Sequence, residues 1–173
     1  MDIHQFLELL VGRWRSQRSD HQFGQENGND NRCVLEINAL GMDDPSLVAI
    51  CQKYDVDPHD TIYSLQTVWE EESLSSIKPK GSALLVLVPN DRATPHKGLV
   101  LSAQGKGVYE FGEDESLTIQ TVTAQGAIEE RIWYGNPNLR FRVATLLQGN
   151  SASDHHVQSS TFYSEIRISA PKN

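Results

Sequence analysis

Between Asp2 and Leu10 the apolar residues recur at helical spacing. Ile3, Phe6, Leu7 and Leu10 share one face, and Asp2 suits the N-terminal end. After Gly12 the period changes to two. Across 31–40, Cys33, Leu35, Ile37 and Ala39 alternate with Arg32, Val34, Glu36 and Asn38, the pattern of a half-buried strand. Asp44-Pro45 then predicts a second, short helix, with Asp44 as its cap and Pro45 in its first turn. Leu47, Val48, Ile50 and Cys51 form the buried stripe, and the helix ends near Asp55. From residue 61 the chain reads as strand and turn. The segments 61–71, 82–88, 99–103, 116–123, 128–134, 139–147 and 157–168 are separated by clusters of Gly, Asn, Pro and Asp. Gly135-Asn136-Pro137-Asn138 predicts a tight hairpin connection, and 149–154 a looser loop.

No fixed-period repeat and no linker interrupts this pattern, so residues 1–173 are expected to form a single domain. Eight to ten antiparallel strands behind a leading helix, with one short internal helix, predict an all-β fold. An up-and-down antiparallel barrel is favoured because closure removes exposed strand edges, and a two-sheet sandwich is the alternative.

Composition narrows the function. A net charge of −8 argues against nucleic-acid binding, which depends on phosphate neutralisation. No run approaches the roughly 18 apolar residues of a membrane span, and no basic segment precedes an apolar stretch at the N-terminus. A cytoplasmic protein is expected. Cys33 and Cys51 lack metal-ligand spacing and the density of a disulfide scaffold, and read as reduced, structural thiols.

The usual catalytic signatures are absent: no phosphate-cradling glycine loop, no G-x-S-x-G and no H-E-x-x-H. His155 and His156 are adjacent, so on a strand they face opposite ways and cannot share a metal. His4, His21, His59 and His96 are scattered, and all six read as surface or loop residues; no metal site is expected.

What remains is a set of charges inside strands. Trp14, Ser16, Arg18 and Asp20 share one face of the first strand, and Arg13, Arg15, Gln17 and His21 the other. Arg140 and Arg142 share a face opposite Leu139, Phe141 and Val143. Glu130 lies with Ile128, Ile132 and Tyr134, and joins the Arg140/Arg142 face only if the intervening hairpin has an odd number of loop residues. Tyr163, Glu165 and Arg167 lie together on the last strand. These charges suit either of two arrangements. One is the wet, cross-paired face of a one-sided sheet. The other is a ligand cavity, since Trp14, Trp69, Trp133, Tyr63, Tyr134 and Tyr163 stand in or beside the same strands. Guanidinium forks flanked by aromatic surface fit a flat, conjugated ligand bearing carboxylates, and a carboxylate on that face could accept ligand N–H groups.

The helix followed by Gly12-Arg13-Trp14 at the start of a strand resembles the lipocalin pattern. That likeness implies that Trp14 closes one end of the barrel against a late arginine, here Arg167, as a cation–π contact. Three longer blocks occur in order. They are GRWRSQRSDH at 12–21, the pair of Glu130-Arg131-x-Trp133 and Leu139-Arg140-x-Arg142, and the ending Phe162-x-Ser164-Glu165-Ile166-Arg167. Together they resemble the S-type phycobiliprotein lyases, the bilin chromophore lyases of cyanobacteria and cryptophytes. The resemblance implies a lipocalin-like barrel that binds a linear tetrapyrrole and promotes its thioether attachment to a cysteine of a phycobiliprotein subunit. It implies that Arg140 and Arg142 hold the bilin through its propionates and that Glu130 positions or polarises the pyrrole nitrogens. Trp69 and Tyr134 would flank the chromophore, and Arg18 and Glu165 would support it. The chain departs from the family in reading Ser19-Asp20-His21-Gln22 where T-x-H-H is usual, and in carrying Leu74 near the place of a second tryptophan.

No permanently bound cofactor is implied. The phycobilin, phycocyanobilin or phycoerythrobilin, is a transient ligand, and the partners are the acceptor α or β subunit and a homo- or heterodimeric sister lyase. The setting is the cyanobacterial cytosol near the phycobilisomes. The alternatives are a non-catalytic bilin carrier and the auxiliary subunit of a two-protein lyase. A fatty-acid carrier is disfavoured by the several in-strand arginines.

Overall fold

In a computed structural model, residues 1–22, 30–72, 78–123, 126–148 and 156–169 are described. Asp2 accepts a hydrogen bond from the Gln5 backbone N–H, and the Gln5 side chain accepts one from the Asp2 N–H. This capping box starts α1 (Ile3–Leu10), whose Ile3, Phe6, Leu7 and Leu10 are all buried as their spacing predicts. The chain then enters β1 (Gly12–Gln22) through Gly12 at φ 132°, a backbone conformation that disfavours any residue with a Cβ.

Nine further strands follow: β2 (Asp30–Ala39), β3 (Tyr63–Glu71), β4 (Lys80–Pro89), β5 (Lys97–Leu101), β6 (Lys106–Phe111), β7 (Leu117–Thr123), β8 (Gly126–Asn136), β9 (Leu139–Gln148) and β10 (His156–Ser169). Each pairs antiparallel with its sequence neighbour, and β1 pairs with β10 to close a ten-stranded barrel, which sets the sandwich aside. The strand β6 was not foreseen from the sequence. It carries only two core residues, Tyr109 and Phe111, while Val108 faces solvent.

The core fills the end of the barrel covered by α1. Phe6 meets Phe111 and Tyr134 edge-on, and Leu10 and Leu7 pack with Trp14, Leu35, Leu87 and Leu117. Two guanidinium groups stand over the Trp14 ring, Arg167 at 4.2 Å and Arg140 at 4.7 Å from its centre. Arg167 is therefore the partner expected for Trp14. It also donates to the carbonyls of Leu9 and Val11, fixing the α1–β1 junction to the last strand.

Outside the barrel, α2 (Pro45–Tyr54) is capped by the Asp44 side chain and ends at Asp55 in the left-handed conformation, as the sequence suggested. Its Leu47, Ile50 and Cys51 cover Val86 and Leu101, whereas Val48 is only half-buried. Tyr54 Oη and Lys53 Nζ donate to the carbonyls of Ser102 and Ala103, so α2 holds the short β5–β6 turn in place. That turn is low. The uppermost β4–β5 pair is Val86–Leu101, so Lys80–Leu85 rise above it by about 20 Å of strand. Leu74, His155 and the 149–154 loop fall outside the described residues.

Candidate functional site

The site depends on one backbone irregularity. Asn136 pairs with Leu139 across a two-residue turn, but Tyr134 pairs with Arg140, so Gly135 is an extra residue bulged out of β8. Were Gly135 paired in line instead, it would oppose Arg140 and Glu130 would point outward. With the bulge, Ile132 opposes Arg142 and Glu130 opposes Ala144, which turns Glu130 into the barrel beside the arginines. The bulge thus settles the parity that the sequence left open. Gly135 also sits close over Phe141, 3.1 Å from the place its Cβ would occupy.

Arg142 is held on three sides. Its Nη1 donates to Glu130 Oε1 at 2.8 Å, its Nη2 lies 3.8 Å from Glu165 Oε1, and its guanidinium carbon stands 3.7 Å above the centre of the Tyr163 ring. Burial works against its charge, but Glu165 and then Glu130 outweigh it and hold the group charged above its ordinary range. Its Nε is buried and has no acceptor among the described residues.

Arg140 is committed differently. Its Nε and Nη2 both lie 2.5 Å from Glu165 Oε2, and Ser16 Oγ donates to the other carboxylate oxygen at 3.1 Å. Arg140 and Glu165 are fully enclosed, and the Arg140 plane rests on Trp14. Arg140 therefore forms part of the cavity floor, while Arg142 presents the accessible cation above it.

Above this floor is a cavity of about 380 Å³. One wall is polar: Arg142, Glu130 and Tyr163, with Arg18 nearer the mouth. The facing wall is apolar, made by Leu35, Ile37, Leu65, Ala83 and Leu85 with the Trp69 indole. Of the residues singled out from the sequence, Arg18, Trp69, Glu130, Arg140 and Arg142 line this cavity, and Glu165 lies beneath it. Tyr134 does not line it. That side chain packs between Phe6 and Trp14 at the closed end, where burial raises its phenol far above the usual range. Arg13 and Arg15 face outward, and Arg15 bonds Glu72. Arg18 is paired with Asp20 at 2.7 Å, an interaction that raises the Arg18 pKa and lowers that of Asp20.

Sequence reasoning missed Ser16, Cys33, Thr67 and Glu71. Their faces were readable from strand alternation, but as small or single polar residues they carried no signal of their own. Cys33 lies half-buried at the cavity and burial pushes its thiol up, which disfavours the thiolate. Both cysteines are free. Chemically, the arrangement offers two guanidinium groups for carboxylates, a carboxylate for ligand N–H groups, and aromatic faces on opposite walls. Among the described residues no cluster of His, Cys, Asp or Glu could hold a metal, and no helix is long and apolar enough to cross a membrane.

Residues 2–168 match the family model described as CpeS-like protein. A chromophore lyase CpcS/CpeS of Thermosynechococcus vestitus is 32% identical over 97% of this chain and 93% of its own length. A phycocyanobilin lyase subunit CpcS of Picosynechococcus is 26% identical over 84% of this chain and 78% of its own. The solved structure of the S-type phycobiliprotein lyase CPES from Guillardia theta superposes with a TM-score of 0.84 at 28% identity, covering 98% of this chain and 94% of the other.

Proposed function

The chain belongs to the CpeS-like family, and on that premise we propose that it is a chromophore lyase. It binds a phycobilin and promotes thioether attachment of that bilin to a cysteine of a phycobiliprotein subunit. The observation that carries the reading is the pairing of a guanidinium and a carboxylate, Arg142 and Glu130, on the wall opposite an apolar face with Trp69. A linear tetrapyrrole needs that combination: cations for its propionates, an acceptor for its pyrrole N–H groups, and flat surfaces for its rings.

In this mechanism the lyase supplies no nucleophile. Arg142 and Arg18 hold the propionates, Glu130 accepts from the pyrrole nitrogens, and Glu165 with Arg140 keeps the floor rigid beneath them. The acceptor's thiolate adds to the ethylidene carbon of the terminal ring, the displaced electron pair moves into the ring, and a proton is taken up at the ring carbon. Bond formation is redox-neutral, and the contribution of the barrel is positioning and charge complementarity. The raised Cys33 pKa fits this role, because a cavity thiol kept protonated does not compete with the acceptor.

Mixing the protein with phycocyanobilin and an apo-phycobiliprotein subunit tests the proposal. Zinc-enhanced fluorescence of the denatured acceptor band is the expected result. Colour on the barrel with an unlabelled acceptor would mean a carrier, and labelling only after a related lyase is added would mean an auxiliary subunit. Phycocyanobilin and phycoerythrobilin tried in parallel identify the bilin, and sedimentation in the presence of the related lyase identifies the assembly.

A further inference from the structure

Trp69 on β3 and Gly81 on β4 are directly paired across the sheet, both on the cavity face. A Cβ built on Gly81 would lie 2.5 Å from Trp69 Cζ2, 2.6 Å from Cε2 and 2.8 Å from Nε1. The indole thus lies flat on the α-carbon of Gly81, in space that any side chain would take. Gly81 has no positive φ, and only Gly12 and Gly126 among the described glycines do, so its backbone is one that alanine can adopt. What the position requires is the missing Cβ. The next cavity-facing residue on β4 is Ala83, opposite Thr67, so the shelf beneath the indole is made of small groups.

We propose that Gly81 is a positioning residue that seats the Trp69 indole against β4 and so sets the width of the slot between Trp69 and the Arg142–Glu130 wall. This rests on the reading that the slot receives a flat chromophore. A glycine inside a strand is ordinarily a cost in order and packing, which an aromatic cross-strand neighbour offsets by covering it. Here the same pairing has a second effect: a methyl group at 81 tips the indole toward the barrel axis and narrows the slot from the apolar side. Selection of the ligand by width then resides in a residue that need not touch the ligand.

The test is a double-mutant cycle of Gly81→Ala and Trp69→Leu, with melting temperature, tryptophan emission and phycocyanobilin affinity measured on all four proteins. In the Trp69 background, G81A keeps or slightly raises the melting temperature. It also shifts the emission and weakens bilin binding by about tenfold or more, with a displaced absorption band of the bound pigment. In the Trp69→Leu background the same substitution changes affinity by less than about twofold. Equal effects in both backgrounds, no effect with Trp69 present, or a G81A chain that fails to fold would each overturn the proposal. If the parent protein binds no bilin, the functional reading fails instead, and the emission shift in G81A still decides whether Gly81 seats the indole.

Discussion

Glu130 and Arg142 meet inside the barrel, 2.8 Å apart, because Gly135 is bulged from the strand between them. Two charges separated by a hairpin are thus brought to one face by a count of backbone residues. Both are partly accessible. Arg142→Ala is expected to lower bilin affinity by about tenfold or more with little change in the unfolding midpoint. Arg142→Lys should rescue only part of it, because an ammonium cannot reproduce the fork. Titration of bilin absorbance alongside urea unfolding checks both, and unchanged affinity in both variants would exclude Arg142 from the site.

Arg140 should behave in the opposite way. Its ion pair with Glu165 is fully enclosed, so Glu165→Gln leaves a buried guanidinium without its counter-charge and should destabilise the barrel by about 3–5 kcal/mol. The double replacement Arg140→Met with Glu165→Leu should recover most of that stability while bilin binding stays impaired. Equilibrium urea denaturation measures the first effect and pigment titration the second. A single variant as stable as the parent would show that the pair carries no structural role.

Deleting Gly135 removes the bulge and leaves the pairing beyond it in place, because Asn136 still opposes Leu139 and Tyr134 then follows directly against Arg140. Glu130 keeps its inward face. The deletion is expected to retain a cooperative unfolding transition, at a cost of about 1–2 kcal/mol for the lost local bend. Gly135→Ala, which only crowds Phe141 and Leu139, should cost about 1 kcal/mol. Circular dichroism melts of the two variants separate a requirement for the residue from a requirement for glycine.

The Asp20 carboxyl is held below its ordinary value of 3.8, first by the Arg18 hydrogen bond and further by Thr161. The folded state therefore binds this proton less tightly than the unfolded chain. The stabilisation is complete above the unfolded pKa and is lost as pH falls through the folded one. Asp20→Asn should unfold at lower urea than the parent near neutrality, and the two midpoints should converge below about pH 3. A gap that persists undiminished in acid would show that the charge is not responsible.

Much of this architecture is legible in the sequence because local pattern and tertiary burial agree. The α1 stripe, the Asp44-Pro45 start and the Trp14–Arg167 contact all follow from spacing or from the lipocalin-like opening. The strand β6 escaped because its six residues include a glycine, two charges and an exposed valine, so little alternation survives. The inward face of Glu130 could not be read either, since a bulge leaves no mark in polarity. Arg140 and Arg142 look identical two residues apart on one strand. Only depth distinguishes them, and depth is set by Trp14 and Ser16, which reach Arg140 and Glu165 from β1. Tyr134 was drawn toward the ligand by its neighbours in sequence, whereas α1 places Phe6 against it.

The contact of Arg167 with the carbonyls of Leu9 and Val11 joins residues 158 and 156 positions apart, and the same strand supplies the pairing that closes the barrel. During synthesis the first strand must wait for the tenth. Its edge stays unmatched while the other strands emerge, and Trp14 lacks both of the cations over its ring until β9 and β10 arrive. Folding of such a chain is governed by one late, long-range event, the regime in which rates are slow and partly made barrels are prone to stick to one another. The clamp that makes the finished molecule rigid is also the step for which the nascent one is longest at risk.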